Sequence, residues 1–204
     1  EKTVIAKESV SGLEFGPDGM LYACQGKQKR VIAIDATNGD VKVVASDVQP
    51  NDMAITKDGF IFITETQAKQ VTRINIKTGE VSVADTGITR PNGIALSNDG
   101  GTLAVSDHGG PYTWTFRVNA GGELDAKMPT MPMRLLIDPK GEFKFNEPPP
   151  YSTVSRGDGM CVDKAGRYYV TSELGVQIFD PTGRPCGVLP KPDKTMPLTS
   201  CTIA

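Results

Sequence analysis

Four stretches of the chain repeat the same order of short apolar strands and turns. The repeats open on a small or polar residue, at Ser11, Asn51, Asn92 and Asp158. Successive openings are 40 (11 to 51), 41 (51 to 92) and 66 (92 to 158) residues apart. A unit of about 40 residues that holds four short strands is typical of one blade of a β-propeller. The repeat therefore predicts an all-β propeller in which four full blades are visible.

A turn recurs at the same place in every repeat, just after the opening strand. The turns lie at residues 17–19, 57–59, 98–100 and 164–166, and each ends in glycine. Glycine adopts the positive φ that a tight hairpin needs, so these turns predict antiparallel strand pairs. A β-sandwich is the alternative architecture, but it does not predict the same turn at a fixed repeat position.

Composition limits the fold and the partners. A chain of 204 residues with 38% hydrophobic content can bury one sizeable core, which predicts a single domain over residues 1–204. The net charge of −2 gives no basic footprint for nucleic acid or an acidic membrane. No apolar run approaches the roughly 20 residues that span a bilayer. A small neutral or anionic ligand fits this charge, and the compartment is left undecided.

Two further expectations concern irregular features. Residues 128–151 carry six of the chain's prolines, so we expect an excursion, as a surface loop or as a lid over the propeller mouth, with a strand only at 134–137. The four cysteines show no C-x-x-C spacing, and we interpret them as ordinary buried thiols.

An ordered series of motifs resembles the gluconolactonase and regucalcin family (senescence marker protein, luciferin-regenerating-enzyme-like), whose members are six-bladed propellers that bind a divalent metal on the axis. The series comprises Ser-Gly-Leu at 11–13, Pro-Asn-Asp at 50–52, Arg-Pro-Asn-Gly-Ile at 90–94 and Gly-Asp-Gly-Met at 157–160. The resemblance assigns these motifs to blades two to five and implies a metal-dependent hydrolase of a sugar lactone or related cyclic ester.

The resemblance also implies roles for individual residues. It makes Asn92 and Asp158 metal ligands, makes Asp158 the general base, and places Asn51 beside the metal, where it helps to hold substrate. Carboxylate and amide oxygens suit a hard cation such as Ca²⁺, with Zn²⁺, Mg²⁺ or Mn²⁺ as alternatives. Arg156, two residues before Asp158, could bind an anionic substrate or be a solvated charge. Capping of strands and turns is the alternative role for the polar openings.

The sequence departs from the family pattern at one metal ligand. The family's glutamate lies in a Glu-Gly-Pro motif, which does not occur here, and by strand alternation Glu14 need not face the axis. We expect residues 1–7 to form only the outer strand of blade one and Ser200 to open blade six. A non-catalytic binding or scaffold module is therefore the alternative function, and a strictosidine-synthase-like propeller without this metal site is a third.

Two other residues have side chains suited to a site. His108 is the only histidine and could serve a Ser-His-Asp triad, but no G-x-S-x-G motif accompanies it, which favours a turn or rim position at the mouth. Trp114 lies in an aromatic strand, and we expect it to pack between blades.

Overall fold

The computed structural model describes residues 9–137, 141–142, 144–147, 150, 152–193 and 195–203. The strand expected at residues 1–7 lies outside them. Within the described ranges, sixteen strands form four sheets of four, as the repeat predicts. The first sheet holds β1 Leu13–Phe15, β2 Leu21–Gln25, β3 Arg30–Ile34 and β4 Val41–Ser46, and the second β5 Met53–Ile55, β6 Phe60–Glu65, β7 Gln70–Asn75 and β8 Val81–Thr86. The third holds β9 Pro91–Leu96, β10 Thr102–Asp107, β11 Tyr112–Val118 and β12 Leu124–Pro132, and the fourth β13 Met160–Val162, β14 Tyr168–Ser172, β15 Gly175–Phe179 and β16 Pro185–Pro190.

Every sheet is an antiparallel meander whose strands follow chain order. The first strands β1, β5, β9 and β13 contact one another in sequence, so they form a shared hub while the fourth strands lie outermost. This arrangement is consistent with a β-propeller. No helix in the described ranges has the length and apolarity needed to cross a membrane.

The predicted turns join the first and second strand of each sheet. Gly19, Gly59, Gly100 and Gly166 all have φ between 75° and 89°. In the first sheet the N–H of Gly16 donates to the carbonyl of Met20 at 2.9 Å. A side chain other than glycine is rare at such φ, which is why glycine recurs there.

Packing between neighbouring sheets forms the core. The β6 residues Ile61 and Ile63 face the first sheet, whereas Phe62 between them faces the third. Side chains of a strand alternate between the two faces, so a sheet covered on both faces needs a continuous apolar run. Trp114 packs in the cluster shared by the second and third sheets, as expected.

The predicted excursion at residues 128–151 was wrong for its first five residues, which complete β12. Because β12 is the outermost strand, Pro129 and Pro132 can be accommodated at an edge that needs fewer ladder hydrogen bonds. Residues 134–137 do not form the strand that the sequence predicted there. The Gln177 amide donates to the Arg134 carbonyl at 2.9 Å and accepts from its N–H at 2.7 Å, so both backbone groups of Arg134 are already used.

The cysteines differ in burial. Cys24 is fully buried, as expected, but Cys186 is exposed, and Cys161 and Cys201 are half-buried. The expectation of four buried thiols was therefore wrong for three of them. These three lie on the outermost strand of the fourth sheet or on its hub strand and the segment beyond, where fewer neighbours cover them.

Candidate functional site

Polar residues that open the hub strands meet at one end of the hub. Asn51 precedes β5 and Asn92 lies in β9, and both line a cavity of about 390 Å³, here called the mouth cavity. Neither side-chain amide forms a hydrogen bond with another described residue. Two amides without side-chain partners among the described residues therefore lie at the same opening.

Asp158 precedes β13 and lies against Gly93, the residue that follows Asn92. A Cβ placed on Gly93 would fall 2.2 Å from the Asp158 carbonyl oxygen, so only glycine permits this approach. The Ser106 hydroxyl joins the two segments, because it accepts from the N–H of Gly93 at 2.9 Å and donates to the carbonyl of Asp158 at 2.8 Å. The third and fourth sheets are therefore in close contact at Gly93 and Asp158.

The Asp158 carboxyl faces a histidine that the sequence favoured as a rim residue. Asp158 Oδ2 is 4.0 Å from His108 Nδ1, and Oδ1 accepts from the N–H of Gly159 at 2.9 Å. Burial raises the pKa of Asp158, and the charges of His108 and Arg90 partly oppose that shift. Burial, and then the charge of Arg90, lower the pKa of His108. The pair is therefore a half-buried carboxyl and imidazole at close range.

His108 Nδ1 is buried and has no hydrogen-bond partner among the described residues. A buried, unpaired ring nitrogen is costly unless something else contacts it. Sequence reasoning undervalued this residue, because 50 residues separate it from Asp158 (158 − 108). The available signal was its position directly after an apolar strand, in Ser-Asp-His-Gly at 106–109.

Two arginines near the site have different surroundings. Arg156, predicted to bind substrate, pairs with Glu173 at 3.2 Å, and its side chain is 60% exposed. Arg90 lines the mouth cavity together with Asn51 and Asn92, and its charge acts on both His108 and Asp158. Arg90 is thus better placed than Arg156 to meet a ligand in the cavity, and the sequence analysis had assigned it no role.

Buried carboxylates hold the connections that carry the mouth residues. Asp107 ends β10 and accepts from the N–H groups of Arg90 at 2.9 Å, Gly109 at 3.0 Å and Thr89 at 3.2 Å. Glu65 ends β6 in the same way and accepts from the N–H of Gln49 at 2.7 Å. Ionised acceptors form strong hydrogen bonds with backbone donors. These acids were missed, although both occupy the last position of a second strand.

A second cavity of about 530 Å³ runs along the hub strands and is here called the hub cavity. Glu14 and Asp52 line it, and neither forms an ion pair with a described residue. Burial raises the pKa of Glu14 to about 7 and that of Asp52 to about 6. Glu14 Oε2 accepts from the N–H of Ile55 at 3.1 Å. Glu14 therefore faces the neighbouring hub strand.

The donor atoms at the mouth suit a hard cation in type but are few in number. Asn92 and Asp158 offer an amide oxygen and a carboxylate, which are the groups that Ca²⁺ prefers. The open amides and the half-buried Asp158 carboxyl are the observations that fit a cation. Among the described residues, no three His, Cys, Asp or Glu side chains are grouped closely enough to hold a metal. A full coordination shell would need water or further oxygens.

Comparison with known proteins gives a consistent set of relatives. The sequence model of the SMP-30/gluconolactonase/LRE-like region matches residues 1–204. A gluconolactonase of Zymomonas mobilis is 25% identical over 213 residues, which covers 94% of this chain and 56% of that protein. The chain thus spans about half the length of this relative.

Solved structures show the same fold at lower identity. A gluconolactonase from Xanthomonas campestris superposes with a TM-score of 0.57 at 18% identity, covering 97% of this chain and 81% of that one. A luciferin-regenerating enzyme gives a TM-score of 0.66 at 16% identity, with 96% and 66% covered. Virginiamycin B lyase from Staphylococcus aureus gives 0.66 at 17% identity, with 97% and 61% covered. Proteins of several activities therefore share this architecture.

Proposed function

Since this chain belongs to the SMP-30/gluconolactonase/LRE-like family, we propose that it carries the active face of a hydrolase that opens a sugar lactone or a related cyclic ester with a divalent metal. We take the complete propeller to have six blades, of which the four sheets here are blades two to five. The observation that carries the proposal is the meeting of Asn51, Asn92 and Arg90 at one cavity, beside the Asp158 and His108 pair.

The metal would be held by the oxygens of Asn92 and Asp158, with Asn51 beside it. We propose Ca²⁺ or Zn²⁺, with Mg²⁺ or Mn²⁺ as alternatives, because amide and carboxylate oxygens dominate the donor set. When bound, such an ion polarises a carbonyl and lowers the pKa of a water molecule, which are two requirements of ester hydrolysis.

The protein's own groups would move the proton. Asp158 as a carboxylate can accept a proton from the water that attacks the lactone carbonyl carbon. As the ring C–O bond breaks, the protonated Asp158 can return that proton to the leaving alkoxide, directly or by relay through the adjacent His108. The products are a hydroxy acid and a regenerated site.

Arg90 would orient the substrate. Its guanidinium lines the cavity and can donate to the lactone carbonyl oxygen, where negative charge develops during attack. The open amides of Asn51 and Asn92 can hydrogen-bond the hydroxyl groups of a sugar ring. Arg156, which pairs with Glu173, has a lesser part in this proposal than the sequence gave it.

A binding module without catalysis is the second candidate. It is favoured by the small number of acidic ligands, since no group of three metal-binding side chains occurs in the described residues. Such a module would bind a lactone or sugar acid at the mouth cavity without turnover. The two candidates share a ligand and differ in the fate of the ester bond.

The test is lactone hydrolysis by the wild type and by Asp158→Asn, with glucono-δ-lactone as the first substrate. We expect Asp158→Asn to lower kcat/KM by about 100-fold or more, because a general base contributes on that scale. Asp58→Asn is the matched control, since Asp58 lies in an exposed turn. The Tm of each protein is measured with and without Ca²⁺, because a ligand that binds only the folded state raises stability.

The outcomes separate the candidates. Hydrolysis and a Ca²⁺-dependent rise in Tm, both lost in Asp158→Asn and kept in Asp58→Asn, support the hydrolase. Lactone binding by calorimetry without turnover, in a folded wild type, supports the binding module. A folded wild type that neither binds nor hydrolyses lactone contradicts both.

A further inference from the structure

Two thiols meet at the hub, away from the mouth residues. Cys161 lies on β13, and Cys201 lies on the segment that follows the fourth sheet. Their Sγ atoms are 3.5 Å apart, and both residues are half-buried. Both also line the hub cavity, so a small solute can reach them. This is a pair of adjacent, accessible thiols in a chain where Cys24 is sealed in the core.

A backbone contact at Thr199 and a hydrogen bond of the Cys201 thiol fix the segment that carries Cys201. The N–H of Gly159 donates to the carbonyl of Thr199 at 2.9 Å, and a Cβ on Gly159 would fall 2.6 Å from that same oxygen. The Cys201 thiol is a donor to the Tyr169 carbonyl at 3.3 Å. The segment is therefore seated against β13 at close range, and the meeting of the two thiols follows from that seating.

The repeat shows that this contact occupies a defined position. Cys161 is the third residue after its repeat opening, and Cys201 is the first residue after the next opening. The equivalent pair at the first interface is Glu14 and Asp52, whose carboxyls also interact. At the two interfaces between them, these positions hold Ala54 with Gly93 and Ala95 with Gly159. Reactive side chains thus occur only at the outer interfaces of the described repeats.

We propose that Cys161 and Cys201 form a dithiol site that low-molecular-weight disulfides oxidise to an intramolecular disulfide, which fastens the segment 195–203 covalently to the fourth sheet. The bond would join residues 40 positions apart in the chain. This inference is independent of the hydrolase proposed above.

The reaction is ordinary thiol–disulfide exchange. The Cys161 thiolate attacks one sulfur of glutathione disulfide and expels a glutathione thiolate, giving a mixed disulfide. The Cys201 thiol then loses its proton and attacks the Cys161 sulfur, which expels the second glutathione. The two cysteines are oxidised by two electrons in total, and one glutathione disulfide is reduced to two thiols.

The surroundings assign the first attack to Cys161. The Cys201 thiol donates its one hydrogen to the Tyr169 carbonyl, and the contact with Cys201 lowers the pKa of Cys161. The thiolate is the nucleophile in exchange, so the thiol with the lower pKa reacts first. Burial raises the pKa of Cys24 well above its usual range, which makes it unreactive. Cys186 is exposed, but it contacts no second thiol among the described residues.

The experiment uses the Cys186→Ser chain, treated with glutathione disulfide and digested with trypsin without reduction. Cys161 and Cys201 lie in separate tryptic peptides, residues 157–164 and 195–204. We expect one disulfide-linked species of these two peptides, lighter by two hydrogens than their sum. We also expect oxidation to raise Tm by about 5 °C, because the bond constrains the unfolded chain.

Single variants test the order of attack. Cys201→Ser should stop at a mixed disulfide of Cys161 with glutathione, because the resolving thiol is gone. Cys161→Ser should slow glutathione incorporation by about 10-fold, since the thiol with the higher pKa remains. Separate glutathione adducts on both cysteines in the Cys186→Ser protein, with no linked peptide, would overturn the proposal. Two unmodified thiols in a protein shown to be folded would overturn it as well.

Discussion

The mouth cavity is lined mainly by connections that precede the hub strands, the hub cavity is lined by the four hub strands themselves, and the two differ in how their charges are balanced. At the mouth, the Asp158 carboxyl faces His108, and Arg90 acts on both. In the hub, Glu14 and Asp52 form no ion pair with described residues, and the charge of Asp52 raises the pKa of both Glu14 and Cys24. One backbone repeat therefore supports two electrostatic environments, which are set by the residues at a few positions.

This difference separates function from stability. A compensated carboxylate beside an imidazole can exchange protons with a ligand at little cost. Two poorly compensated carboxyls reduce the stability of the folded state whenever both are ionised. We therefore expect substitutions at the mouth to change activity and substitutions in the hub to change the dependence of stability on pH.

The largest effect is expected from Asp107→Ala, which removes the acceptor that holds the backbone of residues 89–90 and of Gly109 at the mouth. Three backbone N–H groups would lose their buried side-chain acceptor. Each such bond is worth roughly 1.5–3 kcal/mol and leaves an unsatisfied donor, so we expect a loss of about 4 kcal/mol in the free energy of unfolding. Urea unfolding measures it.

Asp180→Ala is the matched control for that variant. Asp180 also accepts from backbone N–H groups, those of Thr182 and Arg184, but in an exposed turn where water can replace it. A much smaller loss is expected there. Equal losses in the two variants would mean that burial of the Asp107 carboxylate has no special role at the mouth.

The second effect concerns Glu14→Gln and pH. The folded pKa of Glu14, about 7, lies above its ordinary 4.5, so the folded state binds this proton more tightly than the unfolded chain does. Its stabilising contribution is therefore present below pH 4.5 and is lost as pH rises through 7. Glutamine keeps an acceptor for the Ile55 N–H without the charge. At pH 8 we expect Glu14→Gln to be more stable than the wild type by about 2 kcal/mol.

Unfolding curves at pH 5 and pH 8 check this expectation. The variant and the wild type should nearly coincide at pH 5 and differ at pH 8. Glu80→Gln, which is exposed at the start of β8, should show the same difference from wild type at both values. A Glu14→Gln protein that is less stable than the wild type at pH 8 would contradict the conclusion that the ionised Glu14 carboxylate destabilises the hub.

The sequence predicted the parts of this molecule that depend on local pattern. Strands, turns and the openings Asn51, Asn92 and Asp158 recur at fixed positions, and glycine reports the turn geometry directly. The candidate site residues could be predicted from the sequence because equivalent positions in successive repeats lie at the same end of the hub. A repeat thus converts spacing in sequence into nearness in space.

Features that depend on contacts between distant residues were beyond such reasoning. The approach of His108 to Asp158 requires two sheets to pack at Gly93. The non-strand backbone at Arg134 results from the Gln177 amide, 43 residues away. Local pattern contains neither contact. Pro129 and Pro132 led to the wrong prediction of an excursion at residues 128–132, because a strand tolerates proline when it is the outermost of its sheet, and local sequence does not show which strand is outermost.

The third prediction compares the two arginines. In a lactonase assay, Arg90→Ala should raise KM and lower kcat, so that kcat/KM falls by about 10-fold, which corresponds to the loss of roughly 1.4 kcal/mol of transition-state stabilisation. Arg156→Ala should change KM less than about 2-fold, because its charge is engaged with Glu173 at the surface. A larger effect at Arg156 would restore the role that the sequence suggested for it.

The smallest effect is the coupling between Glu14 and Asp52. The charge of Asp52 raises the pKa of Glu14, so removing either charge should relieve the other. At pH 8, Glu14→Gln and Asp52→Asn should each stabilise the chain, and the double variant should gain less than the sum by about 0.5–1 kcal/mol. At pH 4, where both groups are largely protonated in the folded state, the coupling should vanish. Additive effects at pH 8 would mean that the two carboxyls are destabilised by burial alone, each independently of its neighbour.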